Sequence, residues 1–247
     1  MDFYTSLSEF YDLLFPPSRE QKEWALDFAR TGPVLDAGCG TGELLLHIAR
    51  KGIPGSGFDA DDEMVRKAEE KAAGIEGVVD FRKAGLTEAA ELYTPSSFSA
   101  LLCMGNTIAH VQDPQELNRV ISGFASLLTE GGRLAIQLLN YDCILAQRPE
   151  ELPSLTAETD DLKLSFFRRY RYEREHILFT GTLRAESPRA PAKSLEKSFE
   201  ALLLPVGRET LTAAFSKAGL KNISVWEDYG STPASEESAV YLFTGKR

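Results

Sequence analysis

Apolar positions along this chain fall into two alternating patterns, short unbroken runs and stripes spaced three and four apart, the marks of buried strands and amphipathic helices. The first run, Val34 to Ala37, ends in Gly38-Cys39-Gly40-Thr41-Gly42, and a stripe of Leu44, Leu45, Ile48 and Ala49 follows at once. That pattern predicts strand, tight turn and helix, with Gly52 as the stop. Gly55 to Asp59 predicts a second strand, and Asp61, Asp62 and Glu63 open a helix with Val65, Ala68 and Ala72 inside. Gly77 to Phe81 predicts a third strand, with a short helix from about Thr87, and Phe98 to Met104 a fourth, apolar enough to be buried on both faces. Asp113-Pro114-Gln115-Glu116 sets an acidic N-cap, a proline at the first helical position and a glutamate three residues past the cap. The helix it starts buries Leu117, Val120, Ile121, Phe124, Leu127 and Leu128; Gly131-Gly132 ends it, and Arg133 to Leu139 predicts a fifth strand. Alternation of this kind implies a parallel sheet with helices on both faces.

The rhythm changes on either side of this core. Residues 3 to 30 predict a helical lead-in over the glycine turn, in which Tyr11 and Trp24 read equally as core aromatics or as a lid. After about residue 150, a polar bend from Pro153 to Asp161 precedes three runs rich in β-branched and aromatic residues, 162–173, 176–186 and 195–205, the last two separated by Ser187-Pro188-Arg189-Ala190-Pro191. They predict an antiparallel insertion. A helix from about Arg208 to Ala218 and two strands, about Asn222 to Tyr229 and Ala239 to Gly245, close the chain.

Composition narrows the function. With 27 basic and 37 acidic side chains in 247 residues the net charge is -10, which disfavours nucleic acid and anionic membrane surfaces as partners. Cys39, Cys103 and Cys143 are odd in number and lack CxxC spacing, so they read as reduced thiols. Met1-Asp2-Phe3-Tyr4 shows neither a basic leader nor an apolar h-region, and no apolar run approaches membrane-spanning length; the expectation is a cytoplasmic protein. No metal-ligand constellation is evident.

The candidate chemistry gathers around the glycine turn. Three glycines at alternate positions permit positive φ and let a ligand lie against main-chain N–H groups, with the following helix pointing its positive end at the same place. Asp59 stands 23 positions after Asp36, close to the roughly 20-residue separation at which a second-strand acid meets a ribose hydroxyl pair. Ligands in doubly wound sheets sit beyond the carboxyl ends of the strands, which places Gly105, Asn106 and His110 beside the same crevice.

With these residues the chain resembles the class I S-adenosylmethionine-dependent methyltransferases. Asp36-x-Gly38-x-Gly40-x-Gly42 is similar to the family's first motif and departs from the Gly-x-Gly-x-x-Gly of nicotinamide-binding folds. The resemblance implies an α/β, Rossmann-like doubly wound fold: a seven-stranded, mostly parallel sheet with the last strand antiparallel, and an antiparallel β insertion between strand 5 and the final helix. It implies a single domain over 1–247, made of a helical lid (1–32), a cofactor-binding core (33–145), the insertion (151–206) and a C-terminal helix and strand pair (207–247). The implied cofactor is S-adenosyl-L-methionine. Its methionine portion would lie on the glycine turn (Asp36, Gly38, Cys39, Gly40, Gly42), its ribose on Asp59 and its adenine beside Ala84, Gly85 and Leu86; Tyr11, Ala60, Met64, Met104 and Gly105 complete the expected set. Where many members carry an aspartate for the adenine amino group this chain has Gly85, so either main-chain groups of Ala84 to Leu86 serve the base or the correspondence is displaced by a residue or more.

A narrower likeness is to the glycine and sarcosine N-methyltransferase branch. Gly105-Asn106-Thr107-Ile108-Ala109-His110 and Asn140-Tyr141-Asp142 resemble the two segments that bracket the acceptor amine there, with Thr107 for a serine and Leu139 for the arginine that pairs with the acceptor's carboxylate. Leucine cannot replace a bidentate guanidinium, which argues against glycine as acceptor. The reading is a methyltransferase that moves a methyl group to the N or O of a small molecule by in-line displacement, chemistry governed by positioning and needing no metal. Expected catalytic residues are Asn106, His110 and Tyr141, with His110 either a general base or a helix-entry residue against the cofactor. Asn140 and Arg168 are the expected acceptor contacts, because strand alternation puts Phe166, Arg168, Tyr170 and Tyr172 on one face and Arg169, Arg171 and Glu173 on the other. A noncatalytic cofactor-binding or regulatory protein on the same fold is the alternative. Either a monomer or a homodimer is expected.

Overall fold

Two β-sheets organise the computed structural model, which describes residues 7–29, 32–75, 79–187 and 194–247. In chain order the strands are β1 (Val34–Ala37), β2 (Gly55–Asp59), β3 (Val79–Lys83), β4 (Phe98–Cys103), β5 (Leu128–Leu139), β6 (Glu151–Glu158), β7 (Lys163–Tyr172), β8 (Ile177–Glu186), β9 (Leu195–Leu203), β10 (Lys221–Trp226) and β11 (Val240–Lys246). The helices are α1 (Tyr11–Leu14), α2 (Arg19–Ala29), α3 (Glu43–Ala49), α4 (Asp62–Ala72), α5 (Ala89–Leu92), α6 (Pro114–Leu127), α7 (Tyr141–Gln147) and α8 (Arg208–Lys217). The larger sheet has seven strands in the order β10-β11-β5-β4-β1-β2-β3. β1 to β5 pair in parallel, and β11 runs antiparallel to both β5 and β10.

Alternation along the central strands builds a core on each face. Leu35, Ala37, Leu101 and Cys103 point toward α5, α6 and α8, whereas Val34, Ala100 and Leu102 point toward α2, α3 and α4. Asp36 shares the second face with Val34 and is 3% exposed, an acid at the cleft end of an otherwise apolar stripe. The α6 start forms as its sequence requires: Asp113 accepts from the Glu116 N–H at 2.7 Å with proline at the first turn.

The smaller sheet, β6-β7-β8-β9, is antiparallel throughout and packs its inner face against the lead-in: Leu7, Leu14, Leu164, Phe166 and Leu183 share one buried cluster. Its return strand is tied beside the cleft, where the Leu204 N–H donates to the Ala109 carbonyl at 2.8 Å.

Several elements differ from the sequence expectation. The predicted bend Pro153 to Asp161 is mostly the edge strand β6, so the insertion has four strands where three runs were expected. Its register shifts between Leu152 and Leu155, the irregularity by which an edge strand accommodates Pro153. Gly131-Gly132 does not end α6; that helix stops at Leu127, and both glycines lie inside β5, where the pairing with β4 shifts register. α7 was not expected at all. The third strand begins at Val79, and Gly77 and Val78 lie outside the described residues, as do residues 3–6 of the lead-in and most of the predicted break at 187–191.

Candidate active site

The glycine turn closes on itself and leaves a bare floor. Gly38, Cys39 and Gly40 would each be expected to offer an N–H to a ligand, yet Gly38 and Cys39 donate to the Phe58 carbonyl at 2.8 and 3.0 Å, and Gly40 donates to Asp59 Oδ2 at 2.9 Å. Asp59 Oδ1 also accepts from the Asp61 N–H at 3.0 Å, so this carboxylate braces the turn while retaining lone pairs for further donors. What the turn offers is close approach. Gly38 and Gly40 have φ of +69° and +55°; a Cβ on Gly38 would stand 2.3 Å from Thr107 Cγ2, and one on Gly40 3.1 Å from the Tyr11 ring. Gly42 serves packing instead, since its Cβ would strike Phe81 and Ala68, and it lines no cavity of the cleft.

Three cavities, of about 260, 300 and 260 Å³, meet at Tyr11 and Gly105, which line all of them. One is acidic: Asp36, Asp12 and Glu43 line it together with Gly38, Cys39 and Met104, and no basic residue does so among the described residues. Lys71 pairs with Asp12 and Glu43 from outside, which leaves Asp36 as the acid without a cation. A second is a slot with Asp59, Ala60 and Met64 on one side and Ala84, Gly85 and Leu86 on the other. The third lies under the antiparallel sheet, where Phe166, Arg168 and Tyr170 face Asn106, His110 and Leu139.

Electrostatics follow burial. Desolvation, reinforced by Asp59, pushes the Asp36 carboxyl up to about 7, and desolvation also raises Asp59 against the pull of its backbone donors. Desolvation lowers His110 below its usual value, which favours the neutral imidazole. Burial raises the Tyr11 and Tyr141 hydroxyls far above their ordinary range.

Residues 34–132 match a family model described as a methyltransferase domain. The mouse glycine N-methyltransferase is 30% identical over 140 residues, 51% of this chain and 48% of that protein, and the glycine/sarcosine N-methyltransferase of Aphanothece halophytica is 21% identical over 220 residues, 87% and 76% of the two chains. A solved S-adenosylmethionine-dependent methyltransferase from Clostridium acetobutylicum superposes with a TM-score of 0.79 at 17% identity, covering 98% of each chain. Residues 34–132 carry a methyltransferase domain, and the fold over the whole chain is that of the solved S-adenosylmethionine-dependent methyltransferase. The chain spans about half the length of the mammalian glycine N-methyltransferases it matches.

Within this methyltransferase fold, the cleft gathers Tyr11, Asp36, Gly38, Cys39, Gly40, Asp59, Ala60, Met64, Ala84, Gly85, Leu86, Met104 and Gly105 around the acidic cavity and the slot, Asn106 and Arg168 around the third cavity, and His110 between slot and third cavity. Three expected site residues lie elsewhere. Gly42 is the packing residue described above. Asn140 is 1% exposed: its Oδ1 accepts from the Cys143 N–H at 3.0 Å to cap α7, and its Nδ2 donates to the carbonyls of Glu236 and Ser238. Tyr141 is fully buried as the first residue of α7, its hydroxyl accepting from Asn106 Nδ2 at 2.9 Å. Asn106, at φ +73°, also accepts from the Leu139 N–H through Oδ1, so its amide clamps the ends of β4 and β5 together. Of the two aromatics in the lead-in, Tyr11 covers the glycine turn, and Trp24 stacks on Phe28 at 4.8 Å away from the cleft. At the slot's far end the Ala84 N–H donates to the Asp59 carbonyl and the Gly85 N–H to the Glu88 carboxylate, while the Gly85 carbonyl accepts from the Glu88 N–H at 3.1 Å.

Sequence reading missed Phe15, Gln137, Phe179 and Leu203, all lining the third cavity. They come from β5, β8, β9 and the end of α1 with no shared motif, and only the alternation of β7, which put Phe166, Arg168 and Tyr170 on one face, pointed toward them.

Proposed function

We propose that the protein is an S-adenosyl-L-methionine-dependent methyltransferase that methylates a nitrogen or oxygen of a small molecule held under the antiparallel sheet. The observation that carries this reading is the junction at Tyr11 and Gly105, where an acidic cavity, a slot of about 300 Å³ with Asp59 in its wall and an aromatic pocket meet. The donor set suits a cationic nucleoside: a buried acid without a cation at one end, a half-buried acid with spare lone pairs in the middle, and glycines where a Cβ would block approach. When bound, the cofactor supplies an electrophilic methyl group on a positively charged sulfur.

The chain's own residues do the rest. Asp36 binds the ammonium group, Asp59 accepts from the ribose hydroxyls, and Ala60 with Met64 packs one face of the base. Tyr11 lies over the glycine turn and excludes water from it. Asn106 acts as a positioning residue: by joining β4 to β5 it fixes where Gly105 and Leu139 stand. His110 lines both the slot and the aromatic pocket, and its neutral imidazole accepts the proton that the acceptor's N–H or O–H gives up as the new bond forms. Holding acceptor and methyl carbon in line at the junction is the main source of rate, worth up to about 7–11 kcal/mol in well-oriented systems.

A coupled homocysteine-release screen of small amines, hydroxyls and carboxylates tests the proposal. Acceptor-dependent release from one or more compounds, reduced at least tenfold by His110→Ala, is the expected result. Tight cofactor binding with no release across the panel would point instead to a noncatalytic cofactor-binding protein.

A further inference from the structure

We infer that the acceptor is a small ring-bearing carboxylate, its apolar body seated among the aromatics of the third cavity and its charge held by Arg168. This rests on the proposal that this cavity is the acceptor site. The cavity is aromatic on most sides, with Tyr11, Phe15, Phe166, Tyr170 and Phe179 in its wall and Leu139 at the β5 end. Such a wall selects a ring or a comparable apolar body. At about 260 Å³ the space falls below the usual range of drug-sized sites, so the body is small.

Charge gives the second half of the argument. The protein carries a net charge of -10, yet among the described residues no carboxylate lines this cavity, and Arg168 is the one permanently charged group in its wall. The neighbouring arginines on β7 behave differently: Arg169 pairs with Glu151 at 2.7 Å and Arg171 with Glu173 at 3.2 Å, both on the exposed face. Arg168 pairs with no carboxylate among the described residues. Its Nε and Nη2 donate to the Pro153 carbonyl at 3.2 and 2.5 Å, where the irregular edge strand turns that oxygen toward it. A guanidinium has five N–H donors, so the Nη1 end remains available for a carboxylate in the planar, charge-assisted geometry that arginine favours. Burial pulls the Arg168 guanidinium below its ordinary value, an energetic penalty that an incoming carboxylate offsets.

Position sets the orientation of the acceptor. Gly105 and His110 line both this cavity and the cofactor slot, whereas Arg168 lines no cofactor cavity. The nucleophilic nitrogen or oxygen therefore faces the junction and the carboxylate faces the antiparallel sheet. An acceptor whose reacting group is a lone ammonium finds no carboxylate to hold it here.

The test is a set of calorimetric and NMR titrations on the full chain saturated with S-adenosylhomocysteine. Probes are benzoate, phenylacetate and cyclohexanecarboxylate, each compared with its carboxamide. The wild type is expected to bind the acids at least tenfold more tightly than the amides. In Arg168→Gln the preference should shrink to within twofold with amide affinity unchanged, while Arg169→Gln, altered on the outer face, keeps the full preference. S-adenosylhomocysteine affinity, measured in the same experiments, reports separately on the cofactor reading and on the integrity of Arg168→Gln. If that ligand fails to bind, the cofactor reading falls and the acid and amide series is judged by the same criteria on the free protein. Equal binding of acids and amides, no binding of any acid, or an acid preference that survives Arg168→Gln would overturn the inference.

Discussion

Asp36 is the buried acid of the cleft and Asp59 the one that braces the glycine turn, and the cofactor roles proposed for both can be tested by titration. Asp36 is raised to about 7 in the free protein, against an ordinary value near 3.9 in an unfolded chain. The native state therefore holds a proton that the unfolded state has released, and stability is lost as pH rises from about 4 to about 7. Thermal unfolding should show this slope in the wild type and a flatter one in Asp36→Asn. Cofactor binding requires the carboxylate, so affinity for S-adenosylmethionine should fall about tenfold between pH 8 and pH 6, and Asp36→Asn should abolish that dependence. At Asp59 the spacing from the glycine turn made the residue legible in the sequence. Its second task, accepting from the Gly40 N–H, was not, because only the fold brings the two together. Asn140 and Tyr141 failed in the opposite way: the motif marks the segment but does not say which side chains turn inward to cap a helix or fill the core.

The elements around the cleft are fastened by a few contacts with separable effects. Gly38→Ala adds a Cβ 2.3 Å from Thr107 Cγ2 at a φ of +69°, whereas Gly52→Ala adds one at +81° with nothing within 4 Å. Both suffer backbone strain of order 1–3 kcal/mol. Only Gly38→Ala should lose further stability and weaken cofactor binding, readable as a larger drop in Tm at roughly 2–4 °C per kcal/mol for a chain of this size. The lead-in is latched to α4 and the glycine turn by Asp12, which accepts from Lys71 and from the Thr41 hydroxyl, while Lys71 also pairs with Glu43 at 2.9 Å. Asp12→Ala should leave Tm nearly unchanged, as partly exposed ion pairs contribute little. It should raise the dissociation rate of S-adenosylhomocysteine a few-fold in stopped-flow measurements. Helical and strand periodicity made most elements of the core legible. β6 was hidden because Pro153 and a run of polar residues look like a bend when no partner strand is in view, and α7 because it is only seven residues long and starts from a cap read as an acceptor contact.

At the scale of the molecule, topology creates the site. Reversal of strand order at β1 and β4 opens the crevice beyond their carboxyl ends, and the antiparallel sheet with α1 roofs it. Among the described residues no helix is long and apolar enough to cross a membrane. The parallel rhythm and the glycine turn were enough to predict the order of β1 to β5 and the crevice beyond their carboxyl ends from sequence. The roofed half depends on long-range pairing between β6, β7 and β8, and on which face of β7 turns inward, so its chemistry emerged only with the fold. Cofactor recognition by the two acids is the central proposal for this cleft. Calorimetric titration of S-adenosylhomocysteine at pH 8 should show one site of micromolar or tighter affinity, weakened about tenfold or more by Asp59→Ala, in line with about 1.5–3 kcal/mol for hydrogen bonds to a charged group. No binding to the wild type, or undiminished binding to Asp59→Ala, would contradict it.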